Sequence, residues 1–216
     1  MDPPLRLTPR DAQALRWVGE QYTCRLDQFA EVLGRIGGRE PLSLSATRAV
    51  VGRWVGLSLA GRARLLVGEP EWVWLTTKGL RAAELPFGPW EPKAWTVRHM
   101  GAVNRVRLFI EPRRPGARWR PERELRATRP DRRLADASPI PDGELLDAGG
   151  NVIAIEVELS PKSITARRRA MQALVAHYEA IWYFASADCW AAVHDAACTV
   201  PPQLGDLVRI YALEDL

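Results

Sequence analysis

Apolar residues recur at helical spacing in the first part of the chain. The first helix follows a clear start signal, because Thr8 can cap a helix, Pro9 suits its first position and Asp11 suits its first turn. The spacing predicts a second, short helix over residues 26–33, ended by Gly34.

A third helix and two strands follow. The helix opens at Ser43 or Ser45 and ends before Gly56. Apolar and polar residues then alternate over residues 63–67 and 72–76, which predicts two strands joined by a Gly-Glu-Pro-Glu turn.

The second half alternates between helical and strand patterns. Helices are predicted over residues 99–111, 165–179 and 187–197. Strands are predicted over residues 123–127, 142–146, 152–159, 181–185 and 207–213. A three-strand meander followed by helical crossovers is typical of a mixed α/β sheet.

A proline-rich segment separates the two halves. Residues 86–95 contain prolines, a glycine and two tryptophans, which indicates a stiff linker that packs onto a domain. We therefore expect one domain over residues 1–85 and a second over residues 96–216.

The two predicted strands around residue 149 form a hairpin that gathers acidic side chains. Glu156 and Glu158 share one face of the second strand, opposite its isoleucine and valine residues. A three-residue loop would pair Asp147 with Asn151, and counting back then sets Asp142 directly opposite Glu156. A two-residue Gly-Gly loop would instead set Asp142 opposite a valine and separate the two acids.

Directly opposed carboxylates repel one another unless positive charge lies between them. A divalent cation would remove this conflict, which makes Asp142 and Glu156 candidate metal ligands. The alternative is an acidic, solvated sheet face that binds no metal.

Composition narrows the class of protein. The chain of 216 residues carries a net charge of +4 and is 47% hydrophobic, and no run is apolar enough to cross a membrane. The start of the sequence lacks the apolar core of a signal peptide, and three cysteines without CxxC spacing argue against zinc or disulfide frameworks. We expect a cytoplasmic protein.

Arginine is concentrated between residues 105 and 133. This segment holds eleven arginines against four acids, at positions 105, 107, 113, 114, 118, 120, 123, 126, 129, 132 and 133. Such clusters are typical of phosphate binding, although a solvated basic surface has the same composition.

The order of three helices and a two-stranded wing, with the segment from Arg48 to Leu80, resembles winged-helix domains. The resemblance covers about residues 8–85. It implies binding to double-stranded DNA, with the third helix in the major groove and the wing on the backbone. Its candidate contacts are Arg48, Arg53, Arg62 and Arg64. A winged helix used only for protein contacts is the alternative.

The second half resembles the PD-(D/E)xK nuclease core, a restriction-endonuclease-like fold. Pro141-Asp142 matches the "PD", and Glu156-Val157-Glu158 matches the triplet except at its last position. The resemblance implies that Asp142 and Glu156 bind Mg²⁺ or Mn²⁺. It also implies a further acidic ligand on the first strand, mapped to Glu124 or Glu122.

Glu158 departs from this pattern, because it occupies the position of the catalytic lysine. A carboxylate there can add a metal ligand or a general base but cannot supply positive charge. Lys162, four residues later, or Arg167 can supply that charge instead. The alternative is a nuclease fold that has lost catalysis.

Both halves together resemble actinobacterial plasmid replication-relaxation proteins. The likeness rests on domain order, the acidic motifs and a helix that carries His99 and Asn104, which can point into the active cleft. An N-terminal cap and a surface asparagine are the alternative for these two residues.

Three functions remain open from the sequence. The first is a Mg²⁺-dependent DNA endonuclease or nickase of a plasmid or phage, in which Asp142, Glu156, Glu158 and Lys162 hydrolyse phosphodiesters with water activated at the metal. The second is a non-catalytic DNA-binding regulator or replication accessory protein, and the third is an RNA-processing or toxin-like nuclease. A homodimer or a mobile-element protein is the expected partner.

Overall fold

The computed structural model describes residues 7–129, 139–160 and 162–216. Within them the chain is mixed α/β and divides into two compact units, the first ending at Asn104 and the second beginning at Arg105. The division falls inside a helix, beyond the proline-rich linker predicted over residues 86–95. No described helix is both long and apolar enough to cross a membrane.

The first unit combines helices with a small antiparallel sheet. Its elements are α1 (Pro9–Glu20), β1 (Thr23–Arg25), α2 (Leu26–Ile36), α3 (Leu44–Gly56), β2 (Ala60–Ala63), β3 (Trp72–Leu75) and α4 (Thr77–Ala82). Helix α5 (Ala94–Ile110) extends from this unit into the second. The strands are arranged in the order β1-β3-β2.

The predicted start of α1 is confirmed by a reciprocal cap. The Thr8 hydroxyl accepts a hydrogen bond from the Asp11 amide, and the Asp11 carboxylate accepts one from the Thr8 amide. Ser43, rather than Ser45, caps α3 by accepting the Ala46 amide.

Strand β2 lies earlier than the strand predicted over residues 63–67. Strand β2 ends at Ala63, so most of the apolar run over residues 63–67 lies in the connecting loop. Gly61 pairs with Trp74, and a Cβ atom on that glycine would lie 2.5 Å from the Trp74 ring. The indole therefore packs over a glycine, a cross-strand fit that apolar alternation does not reveal.

The second unit is built on a five-stranded sheet with the order β4-β5-β6-β7-β8. Its strands are β4 (Arg118–Pro121), β5 (Gly143–Leu146), β6 (Val152–Glu158), β7 (Ala180–Ala185) and β8 (Val208–Ala212). Strands β4 to β6 are antiparallel, and β6 to β8 are parallel. The helices are α6 (Glu122–Thr128), α7 (Ile164–Val175) and α8 (Ala187–Ala197).

The strand predicted over residues 123–127 is wrong, because these residues belong to helix α6. Glu122 and Arg126 form an ion pair one helical turn apart, which suits a helix. The strand that pairs with β5 is β4, where Trp119 lies opposite Leu145 and packs its ring over Gly143.

One core cluster of the second unit lies on the face of the sheet that packs against α7 and α8. Strand β7 contributes Ile181, Tyr183 and Ala185 to this core. Helix α7 contributes Met171 and Leu174. The alternate residues of β7 therefore face the opposite side of the sheet.

Candidate active site

The hairpin adopts the register that opposes the two acids. The ladder runs from Leu146 opposite Val152 to Gly143 opposite Ile155. The Asp147 amide donates to the Asn151 carbonyl at 3.0 Å, so residues 148–150 form the three-residue loop. The register with a two-residue loop is therefore excluded. The paired ladder ends at Gly143, one residue before Asp142, and the charge of Asp142 acts on Glu156.

The loop is held by its own aspartate. The Asp147 carboxylate accepts the amides of Gly149 at 2.8 Å and Asn151 at 2.9 Å, and it also accepts the Asn151 side-chain amide. The side-chain bond from Asn151, followed by the amide bonds, lowers the pKa of Asp147. These bonds fix the loop length and therefore the register of the acids.

Asp142 is anchored to strand β6. Its Oδ2 atom accepts a hydrogen bond of 2.8 Å from the amide of Val157, the residue between Glu156 and Glu158. Its carbonyl accepts the Glu122 amide at 3.3 Å, which ties the start of β5 to helix α6.

Glu156 carries the least compensated charge in the cluster. Burial and the nearby Asp142 raise its pKa well above the ordinary value, and Lys162 only partly opposes them. Its carboxylate makes no hydrogen bond or ion pair with any residue that the structure describes. The Asp142–Glu156 pair is thus a site of concentrated negative charge that favours a proton or a cation.

Glu158 is compensated by two cationic side chains. It is only 4% exposed, and its Oε2 atom lies 3.0 Å from Lys162 Nζ and 4.0 Å from Arg167 Nε. Burial lowers the pKa of Lys162, but the hydrogen bond to Glu158 and the charges of Glu158, Glu156 and Asp142 together outweigh this effect and raise it overall. Lys162 therefore lies at the acidic cluster, although Pro141-Asp142 and the lysine are far apart in sequence.

Two buried polar groups lie near Glu158 without hydrogen-bond partners in the described part of the chain. Arg167 is 2% exposed, and its Nε and Nη2 atoms have no such partner. The buried Ser186 hydroxyl also has no hydrogen-bond partner among the described residues. The backbone amide of Ser186 donates to the Glu158 carbonyl at 2.9 Å. Buried donors without acceptors are costly, so this region is suited to receive an anion. Ser186 has no sequence signal.

The predicted third ligand does not join the acidic pair. Glu124 lies on α6 and is paired with Arg118 at 2.8 Å and Arg120 at 3.3 Å. Glu122, on the same helix, does contribute to the raised pKa of Glu156. Neither residue lies on a strand, contrary to the prediction.

The structure therefore offers a divalent cation two carboxylates, Asp142 and Glu156. Across the described residues, no group of three or more His, Cys, Asp or Glu side chains is placed to hold a metal ion. Mg²⁺ in phosphoryl-transfer sites uses one or two carboxylates and retains several waters. Asp142 and Glu156 fit that requirement in number and charge.

A second acidic group, missed from the sequence, is fully satisfied. Glu144 is completely buried and is bound by Arg120 at 2.9 Å, by Arg129 and by the Tyr178 hydroxyl at 2.6 Å. Burial, aided by the hydrogen bond to Glu144, raises the pKa of Tyr178 to about 12. The only sequence signal for Glu144 is its position two residues after Asp142, on the same face of the predicted strand.

The four arginines predicted to contact DNA differ in their surroundings. Arg48 and Arg62 both pair with Glu71, at 3.0 Å and 3.4 Å. Arg53 pairs with the buried Asp11, to which Trp54 Nε1 also donates at 3.1 Å. Arg64 is exposed and has no ion-pair partner within the described ranges.

Asn104 lies in the first unit. It is fully buried, and its amide donates to the Thr23 carbonyl at 2.8 Å. The alternative of a surface asparagine is therefore wrong, and a role of Asn104 in the catalytic cleft stays a prediction. His99 lies one and a half turns earlier on α5 and is partly exposed.

No protein-family model, curated protein or solved structure matches this chain.

Proposed function

We propose that the protein is a Mg²⁺- or Mn²⁺-dependent DNA endonuclease or nickase of a mobile element. A winged helix in the first unit would bind duplex DNA, and a PD-(D/E)xK-like second unit would cut it. The observation that carries this proposal is that Asp142, bound to the Val157 amide, lies close enough to the buried Glu156 to help raise its pKa.

Asp142 and Glu156 would hold the cation. A bound divalent cation supplies the Lewis acidity that phosphodiester hydrolysis requires. The chain itself contributes positive charge beside that pair, through Lys162 and the buried guanidinium of Arg167. These groups would stabilise the negative charge that develops on the phosphate.

In this scheme the role of Glu158 is to position the cationic side chains of Lys162 and Arg167. It holds Lys162 Nζ at 3.0 Å and balances the charge of Arg167. The acid in the lysine position would thus place a lysine from the following segment at the cluster. This assignment explains how a departure from the nuclease pattern is compatible with catalysis.

For DNA binding, the first unit offers an element order of helix, strand, two helices and two further strands, which is that of winged-helix domains. Arg64 on the loop after β2 would contact the DNA backbone. Arg48 would contact DNA only after exchanging Glu71 for a phosphate.

The test is cleavage of supercoiled plasmid with Mg²⁺, Mn²⁺ or EDTA. Asp142→Ala and Glu156→Ala should abolish metal-dependent nicking, while Glu179→Ala, an exposed acid of the same unit, should cut normally. Mg²⁺ should also raise the melting temperature of the parent but not of Glu156→Ala. Nicking by both site variants would refute the assignment.

A second candidate function is a DNA-binding protein with a degenerate nuclease fold. The pairing of Glu158 with Lys162 favours it, since this part of the cluster is neutralised without any metal. Retention of duplex DNA without nicking or a metal-dependent thermal shift would favour this function over the first.

A further inference from the structure

An aromatic cavity lies on the sheet face opposite the carboxylate cluster. It has a volume of about 220 Å³ and is lined by Phe109, Ile110, Arg113, Arg114, Trp182, Phe184 and Tyr211. Trp182 and Phe184 alternate on β7 with Tyr183, whose pKa is raised by burial and then by the charge of Glu156. The cavity and the acids therefore occupy different faces of one sheet.

Three aromatic rings of the cavity contact one another. Tyr211 on β8 stacks on Phe184, with ring centroids 5.0 Å apart, and meets Trp182 edge to face at 5.8 Å. Both rings of β7 are almost fully buried, which fixes their positions. The space is several times the roughly 30 Å³ of one water molecule, so a planar ring is a suitable occupant.

Two guanidinium groups border these rings. The Arg114 guanidinium lies 5.0 Å from the centre of the Trp182 ring, and that of Arg113 lies 3.9 Å from the centre of Phe109. Arg113 also donates to the Phe109 carbonyl at 2.9 Å, which holds its side chain in place. Such arginines can both stack and donate to phosphate oxygens.

Neither of these two arginines is neutralised by a carboxylate in the described part of the chain. Of the basic segment predicted to bind phosphate, Arg107, Arg118, Arg120, Arg126 and Arg129 each pair with a glutamate. Arg113 and Arg114 form no ion pair with a described residue. Their positive charge is therefore available to a ligand at the mouth of the aromatic cavity.

We propose that this cavity binds an unpaired base of single-stranded DNA, with the adjoining phosphate held by Arg113 and Arg114. Aromatic faces combined with arginine are the means by which proteins bind single strands without reading their sequence. A duplex cannot use the cavity, because its bases are stacked and paired. The cavity thus adds a single-strand site to the duplex-binding role proposed for the first unit.

The test is fluorescence anisotropy of a labelled oligothymidylate of about ten nucleotides, a length within the usual range for such sites. The full chain is titrated in EDTA, so that the result is independent of whether the protein cleaves DNA. An abasic oligonucleotide of equal length, with the same phosphates, is titrated in parallel. The parent should bind the abasic strand roughly tenfold more weakly.

Three variants identify the site. Arg113→Gln combined with Arg114→Gln should weaken binding of the thymidylate about tenfold and reduce its salt dependence by about two phosphates. Tyr211→Leu keeps apolar bulk, but should lose about tenfold in affinity and most of the preference over the abasic strand. Arg168→Gln removes one positive charge from α7, which packs on the other face of the sheet, and should bind as the parent does.

The proposal is overturned if the double variant and Tyr211→Leu both match the Arg168→Gln control. It is also overturned if the parent binds thymidylate and abasic strands equally, because phosphate attraction alone would then account for binding. Circular dichroism of each variant separates loss of the site from loss of the fold.

Discussion

The Asp142 carboxylate accepts a hydrogen bond of 2.8 Å from the amide of Val157, across the hairpin. This bond fixes an acid from one strand beside the glutamates that flank that valine on the other. The chain thus holds Asp142 against Glu156 in spite of their repulsion, and the cost of that arrangement is the raised pKa of Glu156. Asp142 and Glu156 are therefore the residues most worth changing first.

Asp142→Asn should remove the negative charge at this position while keeping the hydrogen bond from the Val157 amide. An asparagine oxygen can still accept the Val157 amide, so we expect the melting temperature to be kept or raised as repulsion with Glu156 disappears. Metal-dependent nicking should fall by at least about a hundredfold, because a neutral amide is a poor ligand for a hard cation. Plasmid nicking and thermal melting of the same preparation check this. Full activity would show that Asp142 does not bind the metal.

Glu156→Gln should change how stability depends on pH. A carboxyl group whose pKa is raised in the folded state binds its proton more tightly there than in the unfolded chain. The folded state is then penalised increasingly as pH rises from the ordinary value of 4.5 through the raised value, and fully above it. The variant should therefore melt higher than the parent at about pH 8, and this advantage should shrink toward about pH 5.

The matched control for this titration is Glu179→Gln, on the surface of the same unit. Its melting temperature should follow that of the parent at every pH. A constant difference between Glu156→Gln and the parent across the range would contradict the assignment of the titrating group. Addition of Mg²⁺ above neutral pH should reduce the advantage of the variant, since the cation stabilises only the parent.

Glu158→Gln should mainly reduce stability, whereas Lys162→Gln should mainly reduce nicking. Loss of the Glu158 charge leaves Arg167 buried beside a neutral amide, so we expect a loss of about 3 kcal/mol in the free energy of unfolding. Lys162 is half exposed, so its removal should cost at most about 1 kcal/mol. Nicking should nevertheless decrease by about tenfold or more in Lys162→Gln, because charge near the phosphate is lost. Denaturant unfolding and plasmid nicking distinguish the two; equal stabilities would contradict the first expectation.

Substitution of Arg53 should reduce stability, whereas substitution of Arg64 should reduce DNA binding. Arg53→Gln removes the partner of a fully buried aspartate and should lower the free energy of unfolding by about 2 kcal/mol. Arg64→Gln should leave stability unchanged, weaken binding to duplex DNA, and reduce the slope of log affinity against log salt by about one. Gel retention at several salt concentrations measures the slope. An unchanged slope in Arg64→Gln would exclude it as a phosphate contact.

The sequence by itself determined the elements whose patterns are local. Thr8, Pro9 and Asp11 specified the start of α1 because capping involves residues within one turn. The register of the β5–β6 hairpin was also accessible, since the length of one short loop determines every pair in the ladder. This is why counting along the sequence predicts that Asp142 lies close to Glu156.

The tertiary structure decided whatever depends on contacts distant in sequence. Strand β4 was missed because it depends on pairing with β5, which is distant in sequence. Neither segment alone predicts that Trp119 packs over Gly143. Likewise, the Glu144 network joins side chains from β4, β5 and the segment between α7 and β7.

The aromatic cavity shows the same limit most clearly. The arginine-rich segment was visible in the sequence, but its individual arginines were not distinguishable there. Folding pairs five of them with glutamates and leaves Arg113 and Arg114 beside the rings of β7 and β8. Charge becomes available to a ligand only where the fold supplies no counter-charge, and that depends on distances in space rather than on spacing along the chain.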